Sequence, residues 1–414
     1  MSEFIKRDLY LEQIRPFIGT DVIKVLTGMR RTGKSVMLDL IKSDIMASGV
    51  PEDRFIRMDF EDKSNASLCN ADALHEYVDG RLEGKKGRHY LLFDEIQEVS
   101  SWETCINSLR ATKNVDIFLT GSNSRLLSGE LATYLSGRYV SFTVYPFSFA
   151  EFVNAKTRHL ADYKPEESNI REHFNGYLTT GGMPFVVSLG LSGQAATHYL
   201  RDLYDSVILK DVVARNNIRS VDQLQRIIDF AFANIGKTFS ATSVSKYFVN
   251  EKRSISTETV INYMRYCADA FLLYKAQRED LIGRRVLTVS EKYYCVDHAL
   301  REAVGVPGNR NIAQTLENIV YLELLRRGYE VTVGKTHDLE VDFVARRADE
   351  RHYLQVSYLL SSPETIAREV RPFASIADHY PKHIISLDEV DLSSNGVRHH
   401  YLPQFLLAQT WGDA

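Results

Sequence analysis

Between residues 22 and 146 the chain alternates short apolar runs with longer stretches whose apolar residues recur every three or four positions. VIKVLTG (22–28), FIRMDF (55–60), YLLFDE (90–95), IFLTGS (117–122) and YVSFTVYP (139–146) are rich in β-branched and aromatic residues and predict strands. SVMLDLIKSDIMAS and WETCINSLRAT, lying between them, predict helices. This alternation predicts βαβ units and a mainly parallel sheet. YLLFDE is apolar up to its two acids, the pattern of a central strand buried on both faces.

After Pro146 the pattern turns helical, with Gly181, Gly182 and Pro184 marking a loop and one long helix expected over 193–217. DQLQRIIDFAFANIG, SATSVSKYF and STETVINYMRYCADA predict three further helices, and FLLYKAQ and RRVLTVS two strands. Three helices and a hairpin are the outline of a winged helix. From 312 a helix (AQTLENIVYLELLRRG) precedes the strands YEVTVG, EVDFVA and HYLQVSYLL, a helix over 363–378 and the strand HIISL. The expected domains are a parallel-sheet α/β core at 1–150, a helical connection at 151–220, a winged helix at 221–304 and an α/β domain at 305–414.

The chain has 414 residues, enough for two or three domains, and 44% hydrophobic and 25% charged residues, the balance of a folded protein. Its net charge of −4 argues against a protein that coats nucleic acid by bulk charge. Cys69, Cys105, Cys267 and Cys295 are scattered without metal-finger spacing, which fits a reducing compartment. No apolar run reaches the ~18 residues of a membrane helix, and no signal peptide opens the chain, so a cytoplasmic protein is expected.

Gly28-Met29-Arg30-Arg31-Thr32-Gly33-Lys34-Ser35 satisfies G-x-x-x-x-G-K-[ST], with an apolar strand before it and a helix, opened by Val36, after it. Backbone N–H groups of such a loop wrap phosphates, and the helix N-terminus adds favourable dipole charge. Lys34 would meet the β/γ-phosphates and Ser35 a Mg²⁺ ion. Asp94 and Glu95, closing an apolar strand, have the Walker B form: Asp94 for Mg²⁺, Glu95 for the attacking water. The strand at 55–60 intervenes between these motifs, which indicates the ATPase class whose P-loop strand is not adjacent to the Walker B strand. Ser122 and Asn123, at the end of the next strand, are the candidates for sensing the γ-phosphate. Arg125, Arg138 and Arg215 are candidates to complete a neighbouring subunit's site, with Arg138 favoured by its place before an edge strand.

GMRRTGKS, LLFDEIQEV, FLTGSNSRLLSGELATYLSGRY and VYPFSFAEF resemble the large bacterial and archaeal family of AAA-type ATPases whose C-terminal part is classed as a domain of unknown function. YLTTGGMPFVV, LKDVVARNNIR and EVDFVARR…YLQVSYLL extend the resemblance to nearly the whole chain. It implies an AAA-like core, a winged-helix segment and a C-terminal fold similar to restriction-type nucleases, and it favours ATP over GTP.

A nuclease of that type needs an acid on a helix, an Asp on one strand and (Asp/Glu)-x-Lys on the next. Glu317 and Asp342 take the first two places, but Gln355-Val356-Ser357 stands at the third, so no ammonium remains and a degenerate module is expected. Residues 237–285 carry nine basic and five acidic residues, a local excess of +4 that suits DNA. Lys252, Arg253, Arg284 and Arg285 are its candidate contacts, while Tyr247, Tyr263 and Tyr266 are expected to be buried or half-buried.

Together these readings predict a Mg²⁺-dependent ATPase that self-associates, with a hexamer favoured, and acts on DNA without a membrane. The alternatives are a nucleotide-controlled switch acting on a protein partner, and a DNA nuclease with a rearranged metal site.

Overall fold

The computed structural model describes residues 4–124, 137–157, 167–250, 255–283, 285–305 and 311–411. The chain forms two units. The first is residues 1–144 with 269–271, and the second holds 145–268 and 272–414.

The first unit is built on a five-stranded parallel sheet: β1 (Ile23–Thr27), β2 (Phe55–Asp59), β3 (His89–Asp94), β4 (Val115–Gly121) and β5 (Tyr139–Thr143). Helix α1 (Asp8–Ile14) precedes it, and α2 (Lys34–Ala47), α3 (Ala71–Leu82) and α4 (Trp102–Thr112) connect its strands. The first four strands lie within two residues of their expected places, and the fifth starts as expected but ends at Thr143, three residues early. Every residue of β1, β3 and β4 is buried, which is why these strands read as unbroken apolar runs. Ile23, Val25, Leu91, Phe93, Ile117 and Leu119 pack with Leu74, Val78, Trp102 and Ile106 into one core.

The strand order is β2-β3-β4-β1-β5. The P-loop strand and the Walker B strand are therefore not adjacent. What separates them in space is β4, whereas β2, which comes between them in the chain, lies at the sheet edge beside β3. The end of β4 is thereby set between the two motifs.

The second unit begins with helices. The stretch expected as one helix over 193–217 is an α-helix, Gly193–Ser206, that continues as π-helix over Val207–Ala214. The glycine pair before it is dictated by packing: a Cβ on Gly182 would lie 2.2 Å from the Phe147 carbonyl oxygen, and the Gly182 N–H donates to Asp297 at 2.7 Å. The three helices expected next are Val221–Ala233, Ala241–Asn250 and Thr257–Asp269.

The following strands, β6 (Leu273–Asp280) and β7 (Arg285–Cys295), pair antiparallel as expected. They also share one seven-stranded sheet with β8 (Glu330–Thr336), β9 (Leu339–Arg347), β10 (Glu350–Val356), β11 (Lys382–Ser386) and β12 (Val397–Tyr401). Its order is β12-β11-β10-β9-β8-β6-β7. The hairpin expected to belong to a separate domain ending at 304 thus pairs with the strands that follow it, because β6 runs parallel to β8.

A row of histidines crosses β10, β11 and β12. His352 Nδ1 lies 3.1 Å from His383 Nε2, and His383 Nδ1 lies 2.8 Å from His400 Nε2. Trp411 stacks on His352 at 4.1 Å and on His383 at 4.7 Å. Burial holds His352 down at about 4, and burial with its two histidine neighbours holds His383 at about 2. Unfolded chains take up these protons near pH 6.5, so the stability from neutral histidines is full above 6.5 and is lost as pH falls towards 4. His352 alone accounts for about 3 kcal/mol of this loss. Urea unfolding followed by Trp411 fluorescence in a Trp102→Phe background should shift to lower urea between pH 7 and pH 5, and less so in His383→Gln. An equal shift in both proteins would place the acid sensitivity elsewhere.

Candidate functional site

The P-loop links β1 to α2, and its shape depends on glycine. Gly28 has φ +143°, and a Cβ there would stand 2.4 Å from the Val144 carbonyl oxygen. Gly33 precedes α2, whose first residues are Lys34, Ser35 and Val36. Met29 and Thr32 are buried, and the Thr32 hydroxyl donates to the Met29 carbonyl at 3.0 Å. The guanidinium of the buried Arg7 donates to the Thr32 carbonyl at 3.0 Å. Arg30 pairs with Glu61 at 2.9 Å, and Arg31 is exposed with φ +66°.

The Lys34 ammonium is buried and donates to the carbonyls of Gly28 and Met29, each at 3.1 Å. It stands 3.5 Å from Glu95 Oε1. Glu95 itself has φ +49°, a left-handed conformation that turns its carboxylate back towards the P-loop. Gln97 Nε2 donates to Glu95 Oε2 at 2.5 Å, and the Ser122 side chain hydrogen-bonds the same carboxylate. Burial would raise the Glu95 pKa. Lys34 above all, then Gln97, Arg30 and Ser122, outweigh that effect and hold it below its ordinary value. The group is therefore an ionised carboxylate at neutral pH.

Asp94 is almost fully buried, and both its oxygens are engaged. Thr120 Oγ1 donates to Oδ1 at 2.5 Å, and the Arg57 guanidinium pairs with Oδ2 at 3.1 Å. The Thr120 hydroxyl also accepts the Glu95 N–H at 2.8 Å, so one side chain on β4 holds both Walker B acids. Ser122 and Asn123 follow it and are buried. The donor set suits a divalent cation with hard oxygen ligands: a carboxylate at Asp94 and an exposed hydroxyl at Ser35 on the first turn of α2.

The structure thus brings together Gly28–Val36, Asp94, Glu95 and Ser122, with Asn123 next in the chain. Arg138 is exposed just before the edge strand β5 and donates to Asn107 Oδ1 at 3.0 Å. Arg215 pairs with Asp211 at 3.2 Å, and Arg125 lies outside the described residues. Sequence reasoning missed Arg7, Arg57, Gln97 and Thr120. Of these only Thr120 carried a signal, as the last hydroxyl before the Gly-Ser-Asn turn.

In the second unit Glu317, on helix Ile312–Arg326, meets an ammonium that the (Asp/Glu)-x-Lys pattern did not reveal. Lys292 of β7 lies 3.1 Å from Glu317 and 2.7 Å from Glu340. The expectation that no ammonium remains near these acids is corrected here, because the lysine comes from another strand. Burial would lower the Lys292 pKa, but Glu317, Asp342 and Glu340 raise it above its ordinary value, so it stays charged. Tyr294 donates to Glu317 at 2.6 Å. Asp342 accepts from the Val356 N–H at 2.9 Å, and Gln355 accepts from the Asp342 N–H at 2.7 Å. Burial and then Glu317 push the Asp342 carboxyl well above the usual carboxylate range. Glu340 is tied to Arg278 as well as to Lys292. Among the described residues no three His, Cys, Asp or Glu side chains are grouped to hold a metal.

Of the basic candidates, Lys252, Arg253 and Arg284 lie outside the described residues, and Arg285 opens β7. Lys275 and Arg278 pair with Glu291 and Glu340. Lys237, Lys246 and Arg265 are exposed. Tyr263 and Tyr266 are buried and half-buried as expected, whereas Tyr247, at a helix surface, is 50% exposed. Among the described residues no helix is long and apolar enough to cross a membrane.

Residues 20–153 match the AAA domain family, and residues 171–311 match a domain of unknown function, DUF8612. An uncharacterized protein of Haemophilus influenzae is 37% identical over 383 residues, covering 92% of this chain and 93% of its own length. An uncharacterized protein of Methanocaldococcus jannaschii is 28% identical over 402 residues, covering 94% and 84%. Among solved structures, the Walker-type ATPase PABY2304 of Pyrococcus abyssi is similar with a TM-score of 0.46 and 13% identity, covering 73% of this chain and 96% of that one. The Aeropyrum pernix ORC1 protein in complex with DNA has a TM-score of 0.35 and 10% identity, covering 73% and 93%. With the loop, the two acids and the interposed strand in place, the chain belongs to the family of its Haemophilus relative, proteins that carry an AAA-type P-loop domain ahead of a domain of unknown function.

Proposed function

We propose that the first unit is a Mg²⁺-dependent ATPase, that the protein works as a homo-oligomer with a hexamer favoured, and that hydrolysis drives binding, translocation or remodelling of DNA, branched DNA included. The observation that carries the reading is the ionised, buried Glu95, held 3.5 Å from Lys34 and beside Asp94 by the single hydroxyl of Thr120.

In this reading the amides of residues 28–36 wrap the phosphates, and Lys34 exchanges its loop carbonyls for β/γ-phosphate oxygens. Ser35 and Asp94 would hold Mg²⁺, which would neutralise phosphate charge. Glu95 takes a proton from the water that attacks the γ-phosphorus, the bond to the β–γ bridging oxygen breaks, and ADP and phosphate leave. Gln97 and Ser122 fix the carboxylate, Asn123 contacts the γ-phosphate, and Arg138 completes a neighbour's site.

DNA is favoured by the exposed Lys237, Lys246 and Arg265 on a segment of positive balance. The segment 221–304 would act as a winged helix and 305–414 as a nuclease-type fold that does not cut, since Lys292 and backbone groups occupy its acids. The second reading, a switch acting on a protein, is supported by Ile261 and Tyr247, which are 54% and 50% exposed on the helices of that segment.

Phosphate release measured with and without duplex and branched DNA tests the proposal. The motor reading expects stimulation of severalfold, lost in Lys34→Ala. Slow turnover indifferent to DNA would replace it with the switch, and absence of both nucleotide retention and phosphate release would end both.

A further inference from the structure

Asp94 is a buried carboxylate that already has a cation. Arg57, on the edge strand β2, places its Nη2 3.1 Å from Asp94 Oδ2 and its Nε 3.3 Å from Asp39 Oδ1. Its Nη1 donates to the Met58 carbonyl at 3.1 Å. Asp39 lies four residues after Ser35 on α2, so the hydroxyl and this second carboxylate share one face of the helix. The guanidinium therefore bridges the two strips of chain that the ATPase reading assigns to the metal.

We infer that Arg57 is a relay for the divalent cation: it neutralises Asp94 before the metal arrives and passes to Asp39 when the metal takes Asp94. The inference rests on the reading of Asp94 and Ser35 as the Mg²⁺ holders. Its physical ground is a conflict of charge. A buried carboxylate without a cation is costly, so some positive group must cover Asp94 in the metal-free protein. A divalent ion and a guanidinium on the same carboxylate repel each other, so the arginine must give way. The geometry offers it a place to go. Asp39 is already within reach and is 38% exposed, and the Arg57 side chain is itself 24% exposed, so the shift needs no opening of the core. Arg57 is a positioning residue: it competes with the metal while Asp39 assists it.

The two partners therefore act with opposite sign. Removing Arg57 frees Asp94 and should tighten the metal by about three- to tenfold, the worth of an ion pair with one buried and one partly exposed member. Removing the Asp39 charge leaves Arg57 with Asp94 alone and should weaken the metal by about two- to fivefold. A merely structural arginine would give shifts of the same sign, or none.

The test is Mn²⁺ binding, read by its electron paramagnetic resonance signal at saturating non-hydrolysable ATP analogue, in wild type, Arg57→Met, Asp39→Asn and the double variant. Nucleotide binding in EDTA, required to stay at the wild-type level, shows that each variant is folded; should Arg57→Met fail this, Arg57→Gln takes its place. The expected result is tighter binding in Arg57→Met, weaker binding in Asp39→Asn, and a double variant equal to Arg57→Met. Weaker binding in Arg57→Met, or an unchanged or tighter value in Asp39→Asn, overturns the relay. If wild type holds nucleotide and Mn²⁺ but the variants fail this pattern, only the relay falls; if wild type holds neither, the ATPase reading falls and takes the relay with it.

Discussion

Glu95→Gln is expected to lower ATP turnover by about 10²- to 10⁴-fold, the usual worth of a positioned general base, while leaving nucleotide affinity within about twofold. The amide keeps the shape of the side chain and its contacts with Gln97 and Ser122, but it cannot take a proton. The Lys34 ammonium, 3.5 Å away, loses a counter-charge and keeps the carbonyls of Gly28 and Met29, so the loop should survive the change. The pH profile supplies an independent check. Lys34 and the hydrogen bonds hold the Glu95 carboxyl of the nucleotide-free protein below its ordinary value, so the acid limb of kcat/KM, which reports the free enzyme, should lie lower than an ordinary carboxyl would give in wild type and vanish in the variant. Phosphate-release kinetics from pH 4 to 8, alongside equilibrium binding of a fluorescent ATP analogue, measure both quantities. A variant that turns over at more than a tenth of the wild-type rate would remove Glu95 from the chemistry.

The parts of this site legible in the sequence are those that depend on neighbours in the chain. The glycines, Lys34 and Ser35 act at fixed offsets along one loop, and Asp94 and Glu95 end one apolar strand, so local spacing reveals them. Thr120 and Arg57 act across strands. Their importance comes from β4 lying between β1 and β3 and from β2 lying beside β3, an order that the chain sequence does not state. Lys292 escaped for the same reason. The (Asp/Glu)-x-Lys spacing places a lysine two residues after Gln355 on β10, whereas the ammonium arrives from β7, on the far side of β6, β8 and β9. β12 was invisible because VRHHY has no apolar alternation; its buried histidines are held by polar contacts, His400 by the His383 ring and His399 by the Ser386 hydroxyl and the Leu392 N–H. The π-helical turn at 207–214 keeps a helical spacing of apolar residues, so periodicity alone extends the helix through it.

Lys24→Met is expected to destabilise the first unit by about 3–5 kcal/mol, the cost of leaving a buried charge without its partner. Lys24 is an ammonium inside β1, the strand that carries the P-loop, and it pairs with Asp116 of β4 with neither side chain exposed. Lys24 also donates to the Val22 carbonyl at 2.8 Å, and Asp116 accepts the Gly19 N–H at 2.6 Å, which leaves few polar atoms unsatisfied. The net worth of the pair is nevertheless small. Burial pulls Lys24 down and pushes Asp116 up despite their mutual attraction, so desolvation outweighs pairing for both groups. It follows that breaking the pair costs far more than replacing it. Lys24→Met with Asp116→Asn keeps an acceptor for Gly19 and removes both charges, and it should recover all but about 1 kcal/mol of the loss. Trp102 is buried in this unit and Trp411 is the other tryptophan of the chain, so urea unfolding followed by fluorescence in a Trp411→Phe background reads the first unit alone. A double variant as unstable as Lys24→Met would mean that the damage comes from lost packing against the Phe118 ring, 4.7 Å from the ammonium, and not from an unpaired charge.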